Sequence, residues 1–383
     1  MRSDGNPNSS RQSIEVLMKN KELNYVCRWD KVREKSWSGT TYSLYKALEK
    51  DLTLHDCSIQ YSWLESNVVK ASKICFESGK LSKSNQFPLY LDNLNQRKLK
   101  RVVLNKAPTL QIGCFGYIEN SYIYEDLAAY ALAYVYEKDR ASFDASNFSA
   151  CNYASLQKKA TRQLQIYEKN NVVFTMSNWV AEILKTKLTQ AKVYTVGAGI
   201  NIDRKEINYS YKQRNKFLFI GRDFFRKGGD LVVNAFLELS KKMDGIELYI
   251  AGPEEPLINT PSNVHWVGDV NSKELHYYYN LCDVFCMPSR FEAYGLVFSE
   301  ALCFGLPCIG RNACEMPYFI EDGKTGKLLN TESVDDLSQL MEEVLTTELF
   351  YENVMSKKEY YINAYSWDAV AKRITNIIYK DSV

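Results

Sequence analysis

The ten cysteines, at positions 27, 57, 75, 114, 151, 282, 286, 303, 308 and 314, include no Cys-x-x-Cys pair. Cys282 and Cys286 stand four apart, but Cys286 falls in a strand pattern, so a shared metal site is not expected. The cysteines read as buried free thiols of a reducing compartment. Only three histidines occur, His55, His265 and His276, each in or beside an apolar segment, where a structural role is the commoner one. No apolar run is long enough to cross a bilayer, and the longest, Leu127–Tyr136, is far short of it. The first ten residues are polar, without the apolar core of a signal peptide. No basic run with interleaved aromatics stands out, which argues against nucleic acid as a partner. Internal repeats and low-complexity segments are also missing. A cytoplasmic protein is expected, attached at most peripherally to the inner membrane face.

What is present is an ordinary globular composition, 45% hydrophobic and 25% charged, over 383 residues. That length exceeds what one hydrophobic core usually organises, so two domains are expected. The net charge of +2 hides an asymmetry. Residues 1–200 hold 28 Lys and Arg against 19 Asp and Glu, whereas the remainder holds 20 against 27. A basic first half facing something anionic, such as a lipid phosphate or a membrane surface, is one reading of this; scattered surface lysines are the other.

The most informative feature is the run Ser289–Glu300, in which Glu292 and Glu300 stand eight positions apart. Glu292 falls in a loop. Glu300 falls inside a helix that opens at Leu296, after Gly295, and stops at the Gly305 and Pro307 signals. A helix N-terminus offers free N–H groups and partial positive charge to a phosphate. One carboxylate beside it could hold sugar hydroxyls and the other a ribose diol. Alone, such a pair would be read as part of an amphipathic helix with Glu300 on its wet face.

The surrounding pattern is that of strands alternating with helices. Leu23–Trp29 reads as a first strand, Gly39 as a tight turn, and Tyr42–Glu49 as a helix, which is the opening of a doubly wound sheet. Thr109–Gly116 reads as a buried strand, and Glu125 and Asp126 follow, with Asp126 equally placed to cap a helix starting at Leu127. Leu156–Glu168 has helical periodicity, Val172–Met176 is a strand, and Ser177–Asn178 caps the next helix. Lys192–Val196 is a further strand, and polar residues cluster over 202–216 as an interdomain linker. In the second half Phe217–Gly221, Ile246–Gly252, Val264–Gly268 and Asp283–Ser289 are four strands with glycine or polar exits. Arg222 and Lys227 flank the short loop after the first of them, where both can reach one anion. Arg226, next door, reads as a surface charge.

The stretch Phe217–Leu329, with Gly221-Arg222, Lys227-Gly228-Gly229, Gly252-Pro253, Gly268-Asp269-Val270, Glu292 with Glu300, and Gly323-Lys-Thr-Gly326 in order, resembles the nucleotide-binding half of the family-4 (group 1) retaining glycosyltransferases. The resemblance weakens through roughly the first 150 residues, the acceptor region in that family. It implies the α/β GT-B fold: two Rossmann-like doubly wound domains facing across a cleft, with the C-terminal helix crossing back to the first. The corresponding boundaries are a leader at 1–20, an acceptor domain at 21–203, a donor domain at 204–365 and the crossing helix at 366–383.

The resemblance also implies roles. Arg222 and Lys227 would bind the donor diphosphate, together with the N–H groups of Tyr294, Gly295 and Leu296. Glu292 would hold the sugar, Glu300 the ribose, and Val270 would contact the base. Gly39, single where the family usually has two adjacent glycines, would approach the phosphates from the first domain. Asp126, ahead of Glu125, would lie beside the anomeric centre. The donor would be a UDP- or GDP-sugar and the acceptor a glycan or a lipid-linked chain in surface-glycan assembly. No Asp-x-Asp occurs, so the cationic pair would take the place of a metal, and no cofactor is expected. A sugar-nucleotide 2-epimerase of the same fold, or a non-catalytic partner subunit, are the competing readings. The first needs acid and base groups at C2 that the sequence does not supply. The second usually loses the carboxylate or cationic pair, and both are kept here.

Overall fold

Short apolar runs, each ending in a glycine or a polar turn and followed by an amphipathic helix, are the sequence form of parallel strands covered on both faces. The computed structural model of the protein describes residues 21–72, 74–77, 80–83, 87–201, 203–209 and 214–380, so the leader at 1–20 lies outside the described residues. The chain divides into two units. One takes in the chain up to Glu137, Ala150–Gly199 and the part from Trp367 onward; the other takes in Lys138–Ser149 and Ile200–Ser366.

In the first unit the strands are β1 (Glu22–Val26), β2 (Thr53–Asp56), β3 (Ile74–Glu77), β4 (Lys80–Lys83), β5 (Thr109–Ile112), β6 (Ser121–Glu125), β7 (Val172–Thr175) and β8 (Lys192–Thr195). Six of them form one sheet in the order β2-β1-β5-β6-β7-β8, with every pairing parallel. β3 and β4 form a separate antiparallel pair that the sequence reading did not foresee. Tyr25, Leu110, Ile123 and Phe174 are fully buried at the centre of the sheet. The first strand is shorter than expected, ending at Val26, and Trp29 instead donates from its indole to Asp56 at 3.0 Å.

Tyr122 and Tyr124 belong to β6, and the helix expected from Leu127 is Ala129–Lys138. Asp126 therefore precedes the helix by more than a cap position. The amide of Ala129 is met by Gln163 Oε1 at 2.7 Å.

The C-terminal helix Trp367–Lys380 belongs to this unit, as expected from the resemblance. It buries Trp367, Val370, Ile374 and Ile378, and packs on the helix Thr40–Leu48. Arg373 donates to the Val196 carbonyl at 2.8 Å and Tyr379 to the Glu22 carbonyl at 2.9 Å. Gly199 is needed here because a Cβ would lie 2.5 Å from the Trp367 ring.

In the second unit the strands are β9 (Lys216–Ile220), β10 (Glu247–Ala251), β11 (Val264–Gly268), β12 (Val284–Cys286), β13 (Cys308–Arg311) and β14 (Gly326–Leu329). Their order is β11-β10-β9-β12-β13-β14, again all parallel. Renumbered along the chain this is 3-2-1-4-5-6, the dinucleotide-binding order, in which the connections leave β9 and β12 in opposite directions. A crevice opens outside the carboxyl ends at that point. Arg222, Lys227 and Glu292 leave the sheet there, after β9 and β12.

Candidate active site

The site is built around the exits of β9 and β12. Gly221 and Arg222 follow β9, and Pro288 and Ser289 follow β12. Two glycines make the close approach possible. At Gly252, with φ of +129°, an added Cβ would lie 2.4–2.6 Å from the Gly221–Arg222 peptide. At Gly221 it would lie 2.5 Å from Lys227 Cδ, so the lysine stem lies directly over this glycine. The stem is thereby aimed back toward the strand ends. Lys227 Nζ comes 3.2 Å from Glu292 Oε2 and 3.7 Å from Met287 Sδ. Lys227 and Glu292 are thus brought together.

Arg226 differs from the sequence reading, which made it a surface charge. Its side chain is only 15% exposed. Nε donates to Asp223 at 2.7 Å, Nη1 donates to the Phe291 carbonyl at 2.6 Å, and Nη1 lies 3.8 Å from Glu292 Oε2. Its own carbonyl accepts from the Arg290 amide at 2.8 Å. Arg226 thus ties the loop after β9 to the loop carrying Glu292. The reason is local: the turn Phe224–Gly228 sends residue 226 inward under the β12 exit. Arg222, by contrast, is 77% exposed and pairs with Asp269 at 2.7 Å, at the exit of β11. Val270 is half-buried beside Asp269, just before Asn271 caps the helix Ser272–Leu281.

A second fastener, missed by the sequence reading, holds the same loop from its other side. Arg290 grips Asp230 through two contacts of 2.8 and 3.0 Å and Glu332 at 3.0 Å, and Arg311 reaches Glu332 at 2.7 Å. The strand-exit position of Arg311 was the available signal.

Gly295 stands at the N-cap of the helix Leu296–Cys303 with φ of +94°, and no side chain caps that helix. Its first N–H groups have no partner within the helix, by the geometry of any helix start. Gly228 does the same for the helix Gly229–Leu239, with φ of +77° and a Cβ that would meet the Pro288 carbonyl at 2.6 Å. Two glycine-led helices without side-chain caps therefore begin beside one crevice, the Gly229 amide meeting the Phe224 carbonyl at 2.8 Å and the Phe298 amide the Gly295 carbonyl at 3.0 Å. Tyr294 is buried and its ring lies edge-on to Phe319 at 5.1 Å, which fixes the backbone just before the helix. Glu300 sits one turn into the helix, partly buried. Burial pushes its carboxyl up to about 7, against the opposing pull of the Tyr279 hydroxyl at 2.9 Å, the Asn201 amide and the charge of Lys227.

Gly39 and Asp126 belong to the first unit. Gly39, with φ of +87°, is the N-cap of the helix Thr40–Leu48, and Trp37 and Ser38 before it also have positive φ, at 49° and 56°. Three left-handed residues in succession make this a strained turn rather than an ordinary one. Asp126 is half-buried. Glu125 is buried, accepts from Gln163 at 3.0 Å and Tyr167 at 2.9 Å, and burial raises its carboxyl to about 7. Its bonds are those of a core residue, and Asp126 is the one of the two with solvent access. Among the described residues no group of three or more His, Cys, Asp or Glu side chains is disposed to hold a metal, and no helix is long and apolar enough to cross a membrane.

Residues 201–367 match the family model of the glycosyl transferases group 1. A Klebsiella pneumoniae protein described as an uncharacterized 41.2 kDa protein in the cps region is 34% identical over 139 residues, covering 35% of this chain and 38% of that one. The GDP-mannose-dependent alpha-(1-6)-phosphatidylinositol monomannoside mannosyltransferase of Mycobacterium tuberculosis is 27% identical over 198 residues, covering 46% of this chain and 51% of that one. The chain thus spans about half or less of the length of these curated relatives. Among solved structures, sucrose-phosphate synthase from Thermosynechococcus elongatus superposes with a TM-score of 0.65 at 13% identity, over 95% of this chain and 99% of that one. WaaG, a glycosyltransferase involved in lipopolysaccharide biosynthesis, does so with a TM-score of 0.61 at 15% identity, over 93% and 99%. The chain has the GT-B fold, and its residues 201–367 are similar to the group 1 glycosyltransferases.

Proposed function

We propose that the protein transfers a sugar from a nucleoside-diphosphate donor to a glycan or lipid-linked acceptor, with retention of configuration at the anomeric carbon. The observation that carries this reading is the ion pair of Lys227 with Glu292, 3.2 Å apart, beside two glycine-led helix starts at the switch point of the second sheet. That arrangement offers cations and N–H groups to a diphosphate and a carboxylate to the adjoining sugar hydroxyls. Lys227 and Arg222 take the diphosphate, with the amides at Tyr294, Gly295 and Leu296. Glu292 orients the sugar, Glu300 accepts from the ribose hydroxyls, and Val270 lies against the base. The relatives named above, a phosphatidylinositol-mannoside mannosyltransferase and a lipopolysaccharide glycosyltransferase, support an acceptor of the glycoconjugate class.

In the step itself the acceptor oxygen bonds to the anomeric carbon as the bond from that carbon to the phosphate oxygen breaks, on the same face. The acceptor proton passes to the departing phosphate. Negative charge grows on the diphosphate, where Lys227, Arg222 and the helix N–H groups already stand, so catalysis is positioning and electrostatics without a protein nucleophile. No metal is required in this scheme. The test is a thermal-shift screen of UDP, GDP and their sugars, since a ligand that binds the native state raises its stability. It is followed by release of nucleoside diphosphate with and without candidate acceptors. Stabilisation by neither nucleotide would remove the donor-site reading.

A further inference from the structure

The helix Trp63–Ala71 in the first unit buries none of its nine residues. Its large apolar side chains instead face solvent: Trp63 is 76% exposed, Leu64 68% and Val68 53%. At 3.6 residues per turn these three and Ala71, also exposed, fall within an arc of about 140°. They form a stripe on one side of the helix. A short helix without a buried face needs other reasons to stay in place, and three are present. Ser62 and Glu65 form a capping box, Lys98 pairs with Glu65 at 2.8 Å, and Tyr90 donates to the Val68 carbonyl at 3.1 Å. The stripe is thus held outward by polar fasteners on the helix's other sides.

The sequence that follows the stripe is net basic. Residues 62–106 hold nine Lys or Arg against three Asp or Glu, a net of +6 in a chain of net +2. Two of the three acids are already spoken for, Glu65 by Lys98 and Asp92 by Lys159. On the helix Leu89–Val102, which Lys98 and Tyr90 join to the stripe helix, Arg97, Lys100 and Arg101 are exposed and share one face. Lys70 and Lys106 are exposed as well, and between them Leu104 stands 87% exposed.

We infer that this face seats the protein on an anionic lipid bilayer, with Trp63, Leu64 and Val68 entering the headgroup boundary and the basic residues facing lipid phosphates. Trp, Leu and Val on one side of a short helix, bordered by Lys and Arg, is the pattern of an interfacial helix. Both halves of the pattern are needed, because modest apolar area or a few charges alone give only marginal binding. A second copy of the chain is the poorer occupant, since a symmetric contact would set the same positive charge against itself. This inference is independent of the transfer reaction, and its assay reads binding alone.

The test uses the full chain and co-sedimentation with vesicles of phosphatidylcholine or of an equimolar mixture of phosphatidylcholine and phosphatidylglycerol, at low and high salt. The expected result is binding to the mixed vesicles at low salt, weakened at high salt, and none to neutral vesicles. The variant W63S/L64S/V68S should lose about tenfold or more of that binding, from the apolar area withdrawn. Because all three side chains are exposed, its melting temperature and its nucleotide-induced thermal shift should match the parent. Lys100→Gln with Arg101→Gln should weaken binding and flatten its salt dependence. Parent-like binding by the triple variant, or no binding by the parent at low salt, overturns the proposal. So does a dimer that the triple variant abolishes while vesicles bind neither form, which would assign the stripe to a protein contact.

Discussion

Replacing Arg226 by alanine tests whether the geometry of the donor loop, rather than its charges alone, supports activity. The substitution removes a guanidinium that bonds the Phe291 carbonyl at 2.6 Å and Asp223 at 2.7 Å, and stands 3.8 Å from Glu292. The Phe291 carbonyl keeps the Ser289 hydroxyl at 3.0 Å, and Asp223 is 39% exposed and rehydrates, so no group is left orphaned. The loss is therefore one charge-assisted bond of about 1.5–3 kcal/mol and one partly exposed ion pair of about 0–1 kcal/mol. A total near 2–3 kcal/mol corresponds to a fall of about 5–10 °C in the melting of a domain this size. Glu292 would keep only Lys227 and sit on a looser loop. A displacement of around an ångström at a substrate-orienting group costs up to about 10²-fold, so kcat/KM should fall roughly 10–10²-fold, mostly in kcat. Arg226→Lys keeps the charge near Glu292 but cannot reach both Asp223 and Phe291, and should recover only part. Nucleotide release under saturating donor, measured well below the melting temperature, separates the rate effect from unfolding. Turnover of the alanine variant within twofold of the parent would refute the clamp.

Lys227→Ala, Arg222→Ala and Glu292→Ala should each lower turnover by about 10²–10³-fold while leaving the fold intact, and near-parent turnover by both cation variants at saturating donor would remove the diphosphate assignment. Turnover is expected to survive EDTA, because Lys227 and Arg222 supply the charge a metal would bring; complete loss that Mg²⁺ or Mn²⁺ restores is the contrary result. Glu300, whose carboxyl burial raises to about 7, must be ionised to accept from two ribose hydroxyls, and its ionised fraction falls as pH drops through that value. Donor KM should therefore rise as pH is lowered through neutrality, and Glu300→Gln should raise KM and flatten the profile; an unchanged profile in the variant would assign the dependence elsewhere.

The second unit was largely legible, because three of its strands, β9, β10 and β11, are short apolar runs closed by Gly221, Gly252 and Gly268. Gly252 has to admit the Gly221–Arg222 peptide, and Gly295 has to turn the chain into the helix that carries Glu300. The first unit was read less completely. Nothing marked the β3–β4 pair, whose alternation is broken by Ser, Lys and Gly. The helix at Trp63 went unread although Ser62 and Glu65 spell a capping box, a signal that composition and apolar periodicity both pass over. The strand β6 also went unread, because Tyr122 and Tyr124 suit a strand or a helix equally and only their parallel pairing with β5 decides between the two.

Arg222 and Arg226 show why spacing reveals which charges gather but not which of them remains available. Four residues apart on one loop, they have opposite environments. Arg226 is enclosed, and its donors are committed to Asp223 and to the backbone at Phe291, so an incoming anion would have to break the loop to use it. Arg222 pairs with Asp269 at an exposed site, and an ion pair there is worth about 0–1 kcal/mol. A charge-assisted contact with a diphosphate exceeds that, so the pair can open for the ligand at little cost. Asp269 then serves as a resting partner that keeps the guanidinium near the β9 exit. A charge reversal at Asp269 should consequently weaken nucleotide binding more than a neutral Asp269→Asn change, which frees Arg222 without repelling it. Equal loss from Asp269→Asn and Asp269→Lys would mean that Asp269 contacts the donor itself.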